Sequence, residues 1–125
     1  MTRAAGQLLV LLILAACATT GGTSPGSSDV LTRAEIENSR ASDAYELLQQ
    51  LRPQFLRGRG SVSMRNPAVG QPVVYKNEVR HGDIQSLRSI LIEEIAEIRF
   101  ISASDATTRW GTGHAGGVIQ VLAHF

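Results

Sequence analysis

Ile95-Ala96-Glu97-Ile98-Arg99-Phe100-Ile101-Ser102 alternates with the two-residue period of an extended strand. The pattern puts Ile95, Glu97, Arg99 and Ile101 on one face and Ala96, Ile98, Phe100 and Ser102 on the other, so one side is mostly apolar and needs a cover. Downstream, Ser102-Ala103-Ser104-Asp105 offers caps for a short helix through Trp110. The glycine-bearing stretch from Gly111 to Gly117 comes next, and Val118-Ile119-Gln120-Val121-Leu122 reads as a second strand. The class predicted is α+β: a small mixed β-sheet with short helices.

Working upstream, Asp83 caps a short helical segment that carries Ile84, Leu87 and Ile90. Pro72-Val73-Val74-Tyr75 opens a strand, Asn77-Glu78 turns it, and Val79-Arg80 returns. From Arg57 to Gln71 the apolar pattern dissolves into Gly58, Gly60, Asn66, Pro67 and Gly70, which reads as a loop with a short extended piece at Ser61-Val62-Ser63-Met64. Before it, Ser42-Asp43 starts an amphipathic helix with Tyr45, Leu47, Leu48 and Leu51 along one stripe, which Pro53 closes. Thr32-Arg33-Ala34-Glu35 has the threonine and glutamate of a capping box, so a short turn of helix begins there.

The amino-terminal segment has a different composition. An apolar run from Leu8 to Ala16 comes after Arg3, too short to cross a bilayer as a helix, and reads as an export signal. It ends in Leu14-Ala15-Ala16-Cys17, which resembles the bacterial lipobox, in which the cysteine thiol accepts a diacylglyceryl group and the peptidase then cuts before it. Cys17 is the only cysteine in the chain, so no intramolecular disulfide competes for it. The division expected is therefore a signal peptide at 1–16, a flexible tether of small and turn-forming residues at 17–29, and a folded domain at 30–125. Ala18 after the cysteine, where aspartate would favour the inner membrane in similar lipoproteins, points to the outer membrane of a Gram-negative bacterium, facing the periplasm.

The chain has 125 residues, 43% hydrophobic and 18% charged, enough for one small domain and not for a multidomain enzyme. Twelve basic residues face eleven acidic ones, and removing Arg3 with the signal balances them, so nothing draws the chain to nucleic acid. A closed membrane barrel would consume the whole length after the leader.

In order and register, the pieces resemble the plug domain of TonB-dependent outer-membrane receptors. The resemblance rests on Thr32 to Ile36, the helix from Ala41 to Leu51, Pro72-Val73-Val74-Tyr75 with Asn77, Ile95-Ala96-Glu97-Ile98, and Trp110-Gly111-Thr112-Gly113 to Gly116-Gly117-Val118-Ile119. It covers most of residues 30–122. In those receptors the plug fills the barrel lumen, contacts siderophores or cobalamin, and is displaced by TonB acting on a box near the amino terminus. Two departures temper what transfers: no convincing TonB box lies between Cys17 and Thr32, and no barrel strands come after the plug-like part. The resemblance thus implies fold and location more than energised transport. A further departure is Asn77-Glu78 in place of aspartate and glycine, which would set a non-glycine residue at positive φ in a tight hairpin.

The chemical motifs have plainer readings. Gly111-Thr112-Gly113-His114-Ala115-Gly116 fits GxGxxG, but a strand comes after it and no acidic residue lies about 20 positions on; Gly111, Gly113, Gly116 and Gly117 are read as structural turn glycines, as is Asn77. His81, Asp83, Asp105, His114 and His124 lack the spacing of metal ligands, and a surface role is expected for each. No catalytic residue, metal or cofactor is assigned. Arg52, Arg57, Arg59 and Arg65 form a basic run without an acid, and guanidinium groups grip phosphates or carboxylates in two-point fashion. Arg57, Arg59 and Arg65 are the candidate contact surface, for an outer-membrane barrel or acidic lipid headgroups; the plainer reading pairs these arginines with Glu93, Glu94 and Glu97. The function expected is a lipid-anchored binding module, not an enzyme, and the alternative is a small periplasmic enzyme or ligand- or metal-binding protein with an unrecognised site.

Overall fold

The computed structural model describes residues 28–58 and 64–124. Among these residues five strands form one mixed sheet in the order β1-β4-β5-β2-β3, with β1 at Val30–Leu31, β2 at Val73–Lys76, β3 at Val79–Gly82, β4 at Ile95–Ile101 and β5 at Val118–Ala123. Only β2 and β5 run parallel; the remaining neighbours are antiparallel. The helices are α1 at Arg33–Glu37, α2 at Ala44–Leu51, α3 at Pro53–Arg57 and α4 at Ala103–Trp110. The α+β expectation, with its mixed sheet and short helices, is met.

The local signals act as expected. The Glu35 carboxylate accepts from the Thr32 amide at 2.9 Å and the Thr32 hydroxyl at 3.0 Å, the reach-back of a capping box. Asp43 caps α2 by accepting from the Glu46 amide at 2.8 Å, and Ser102 caps α4 by accepting from the Asp105 amide at 3.1 Å. Asp83 accepts from the Gln85 and Ser86 amides and starts a 3-10 helix over Ile84–Ser89. Ile84, Leu87 and Ile90, spaced by three, match the 3-10 period and are all buried.

Three features differ from the sequence reading. Pro53 does not only stop α2; it opens α3 at its first position, where the missing amide costs nothing, and Phe55 is fully buried. A second 3-10 turn at Pro67–Gly70 lies within the segment expected to be loop. A register shift between Ile95 and Glu97 breaks the alternation of β4, so Ile95 joins Ile98 and Phe100 in the main core instead of lying beside Glu97. The short extended piece at 61–64 falls mostly outside the described residues.

That core covers one sheet face, where Val74, Ile98, Phe100, Ile119 and Val121 pack against Leu31, Ile36, Leu47, Leu48, Phe55 and Leu87. Each such side chain contributes about 1.5–3 kcal/mol when fully buried. On the opposite face α4 lays Ala106 over Tyr75 and Val118, with Val73, Ile101 and Trp110 half-buried around them. The hairpin joining β2 and β3 has a positive φ of 54° at Asn77 and none at Glu78, so it is not a type I′ turn. Asn77 is the residue that tolerates this, and its side-chain oxygen accepts from the Ala123 amide at 3.0 Å.

Candidate contact surface at the loop end of the sheet

Strand register sorts the connections to two ends. Val73 and Ile101 both pair with Val118, the Val73 amide donates to the Gly117 carbonyl at 3.1 Å, and the Phe100 amide donates to the Asp29 carbonyl at 2.8 Å. The start of β1, the end of β4 and the starts of β2 and β5 therefore share one end, together with the loops that feed them. Asn77 and Ala123 mark the other end.

At the shared end the chain is held by backbone contact. Phe55 packs on Phe100 with ring centroids 5.4 Å apart, which fixes α3 and leaves Arg57 exposed at its last position. Gly58 comes next with φ 68°, and a methyl there would stand 2.5 Å from the Gly70 carbonyl oxygen and 3.0 Å from that of Gly116. At Gly116 a methyl would meet the Gln71 carbonyl oxygen at 2.3 Å. Only hydrogen fits where the three segments meet, so the ends of the 58–70 segment are pinned together. Gly117 is equally tight, against the Ile101 carbonyl oxygen and the Phe100 ring at 2.7 Å, with φ 83°. Gly111 and Gly113 have positive φ of 87° and 99° but open space around them, so their requirement is conformational.

The pinned segment presents cations and apolar groups. Asn66 caps the Pro67–Gly70 turn by accepting from the Ala68 amide at 3.2 Å, while Met64 is fully exposed and Val69 is 47% exposed. Arg57 and Arg65 are exposed and form no ion pair among the described residues. Among the described residues neither Arg57 nor Arg65 pairs with Glu93, Glu94 or Glu97: Glu94 binds Lys76 at 2.5 Å, Glu97 binds Arg99, and Arg52 binds Glu35 at 2.7 Å. The Thr32 amide and the Arg52 guanidinium hold the Glu35 carboxyl below the ordinary range. Arg59 and Cys17 lie outside the described residues.

The titratable residues do not converge. His81 is exposed and bonds Ser89 at 3.0 Å, Asp83 and Asp105 serve helix starts, and His124 is exposed at the end of β5. His114 corrects the expectation of a surface role: it is 4% exposed. Its Nδ1 lies 2.8 Å from the Gly111 carbonyl oxygen, which can only accept, so Nδ1 carries the hydrogen and Nε2 accepts from the Tyr75 hydroxyl at 3.0 Å. Tyr75 stacks on Trp110 at 4.4 Å, and the Arg109 guanidinium lies 4.7 Å from the Trp110 ring centre. Gln120, 1% exposed, donates to the Asn77 carbonyl and to Glu78. No local signal in the sequence marks this polar and aromatic cluster, and both histidine nitrogens are engaged in bracing it. Among the described residues no group of three or more His, Cys, Asp or Glu could hold a metal ion.

The family model described as TonB-dependent Receptor Plug Domain matches residues 21–118. No curated protein and no solved structure matches the chain.

Proposed function

The chain belongs to the TonB-dependent receptor plug domain family, and from that premise we propose that it works by association, as a lipid-anchored module that docks to an outer-membrane barrel. Membership ties it to TonB-dependent receptor-type transport and to the outer membrane of Gram-negative bacteria. Plug domains sit within barrels and are not enzymes.

The finer reading has three parts. Cys17 carries the acyl anchor once 1–16 is removed, residues 17–29 tether the domain, and Arg57, Arg59 and Arg65 meet an acidic surface. The observation that carries it is the exposure of Arg57, at the end of α3 just before the glycine closure, and of Arg65 beyond it, both unpaired among the described residues. A cation held on a fixed base meets a partner with less ordering cost than one on a free chain. The enzyme alternative would have gained from His81, Asp83 and His114 gathered in one buried cluster, whereas each bonds different partners.

Cross-linking in intact outer membranes, then purification of the chain, tests the reading. A discrete barrel-forming partner supports association. Recovery of the chain without one, while it remains in the membrane fraction, opposes it.

A further inference from the structure

The loop end of the sheet sets the exposed arginines of the docking reading beside two features that the docking reading leaves unused. Met64 is 102% exposed and Val69 47%, which are large apolar side chains standing in water. Arg65 adjoins Met64 and Arg57 precedes it at the end of α3, and between Glu46 and Glu78 the sequence contains no acidic residue at all. The second feature is topological: the chain enters β1 at Asp29, whose carbonyl pairs with Phe100, at this same end of the sheet.

We propose that Arg57, Met64, Arg65 and Val69 form a second membrane contact that lies against an anionic phospholipid surface. It rests on the reading of Cys17 as the anchor, since an acylated tether ending at Asp29 brings this end of the domain, and not the Asn77 hairpin, toward the bilayer. The chemistry divides by depth. Guanidinium groups bind headgroup phosphates in bidentate fashion, and the thioether and isopropyl groups enter the boundary below them. The cap at Asn66 holds the Pro67–Gly70 turn that carries Val69, and Gly58 closes on Gly70, so Val69 itself loses little order on contact. The arginines also set orientation, with the hairpin end pointing away from the lipid.

The test uses the mature acylated chain. With Cys17 acylated, Met64→Cys supplies a single free thiol for an environment-sensitive fluorophore, and Val79→Cys, on the exposed β3 strand, supplies the control. Each labelled chain is floated with vesicles of phosphatidylcholine alone or mixed with phosphatidylglycerol, with spin-labelled acyl chains as quenchers. The proposal expects blue-shifted, quenched emission from position 64 on the anionic vesicles only, reversed by 1 M salt, where the screening length falls to about 3 Å. Position 79 stays water-like on both. Each basic residue near such a surface is worth roughly a fivefold factor in partitioning, so Arg57→Ala with Arg65→Ala lowers loop insertion on the order of 25-fold while flotation persists.

Water-like emission from position 64 on anionic vesicles that still carry the chain overturns the proposal. So does a change at position 64 that appears only when a solubilised barrel protein is added, which returns the loop to the protein partner. Failure to float with neutral vesicles, together with an unmodified Cys17 mass, instead refutes the anchor.

Discussion

The Tyr75 hydroxyl donates to Nε2 of His114 across 3.0 Å, joining β2 to the glycine stretch that leads into β5. The residues stand 39 positions apart, and the parallel pairing of β2 with β5 brings them together. Because Gly111 fixes the imidazole through Nδ1, the bond to Tyr75 satisfies the one remaining buried nitrogen. Tyr75→Phe should therefore cost about 1–3 kcal/mol, the penalty for a buried acceptor left without a donor. Urea unfolding followed by Trp110 fluorescence measures it, since Trp110 is the only tryptophan and stacks on the altered ring. A midpoint equal to that of the unsubstituted protein would show that the bond contributes nothing.

The glycines separate by mechanism. Gly116→Ala places a methyl 2.3 Å from the Gln71 carbonyl oxygen and should destabilise by at least about 1–3 kcal/mol, because backbone has to move. Gly111→Ala meets no atom within 4 Å and pays only for its backbone, φ 87° with ψ −165°, a region essentially reserved to glycine, at about 1–3 kcal/mol. Thermal unfolding of the two variants, with the vesicle probe at position 64 read in parallel, should show loop contact disturbed more by the change at Gly116.

Glu35 predicts a pH dependence. Its carboxyl is held below the ordinary value of 4.5, first by the Thr32 amide and then by Arg52 and the Thr32 hydroxyl, against the opposing effect of burial. A depressed folded value means that the contribution is complete above the unfolded value and is lost as pH falls through the folded one. Glu35→Gln should lower the unfolding midpoint at pH 7 and flatten its decline below about pH 4.5. Glu46→Gln removes a carboxylate that is likewise held low, by the Ser42 amide and hydroxyl, but on an exposed surface, and should change the profile less.

Much of this architecture was legible because it is local. Thr32, Asp43, Asp83 and Ser102 each cap the helix that begins one residue later, and the three-residue spacing of Ile84, Leu87 and Ile90 carries its own period. The misses are long-range or involve dual-use residues. Pro53 ends one helix and begins another, and the sequence shows only the stop. Val30–Leu31 is a strand because β4 offers an edge to it, not because two residues hold a period. Ile95 turns inward through a register shift fixed by pairing with Ala123. His114, set among glycines, is buried by Tyr75 and Trp110, which no linear spacing brings near it. At the candidate site the arginines could be read, but not the pinning of their segment, because the partners of Gly58 are distant in sequence.

Cys17 carries the anchoring reading. Mass spectrometry of the mature amino terminus should find Cys17 first in the chain and acylated, and Cys17→Ala should leave the membrane fraction. A wild-type terminus without acyl mass, with the variant still in the membrane, would remove the anchor.

The central claim is association with a barrel at the outer membrane, and the most direct measurement is the mass of the native complex. Purified from outer membranes in mild detergent and weighed by native mass spectrometry, the chain should appear in fixed stoichiometry with one barrel-forming protein, and the complex should persist at protein concentrations where chance contacts dissociate. An acylated, folded chain recovered only as itself, from membranes in which candidate barrels are abundant, would contradict the account.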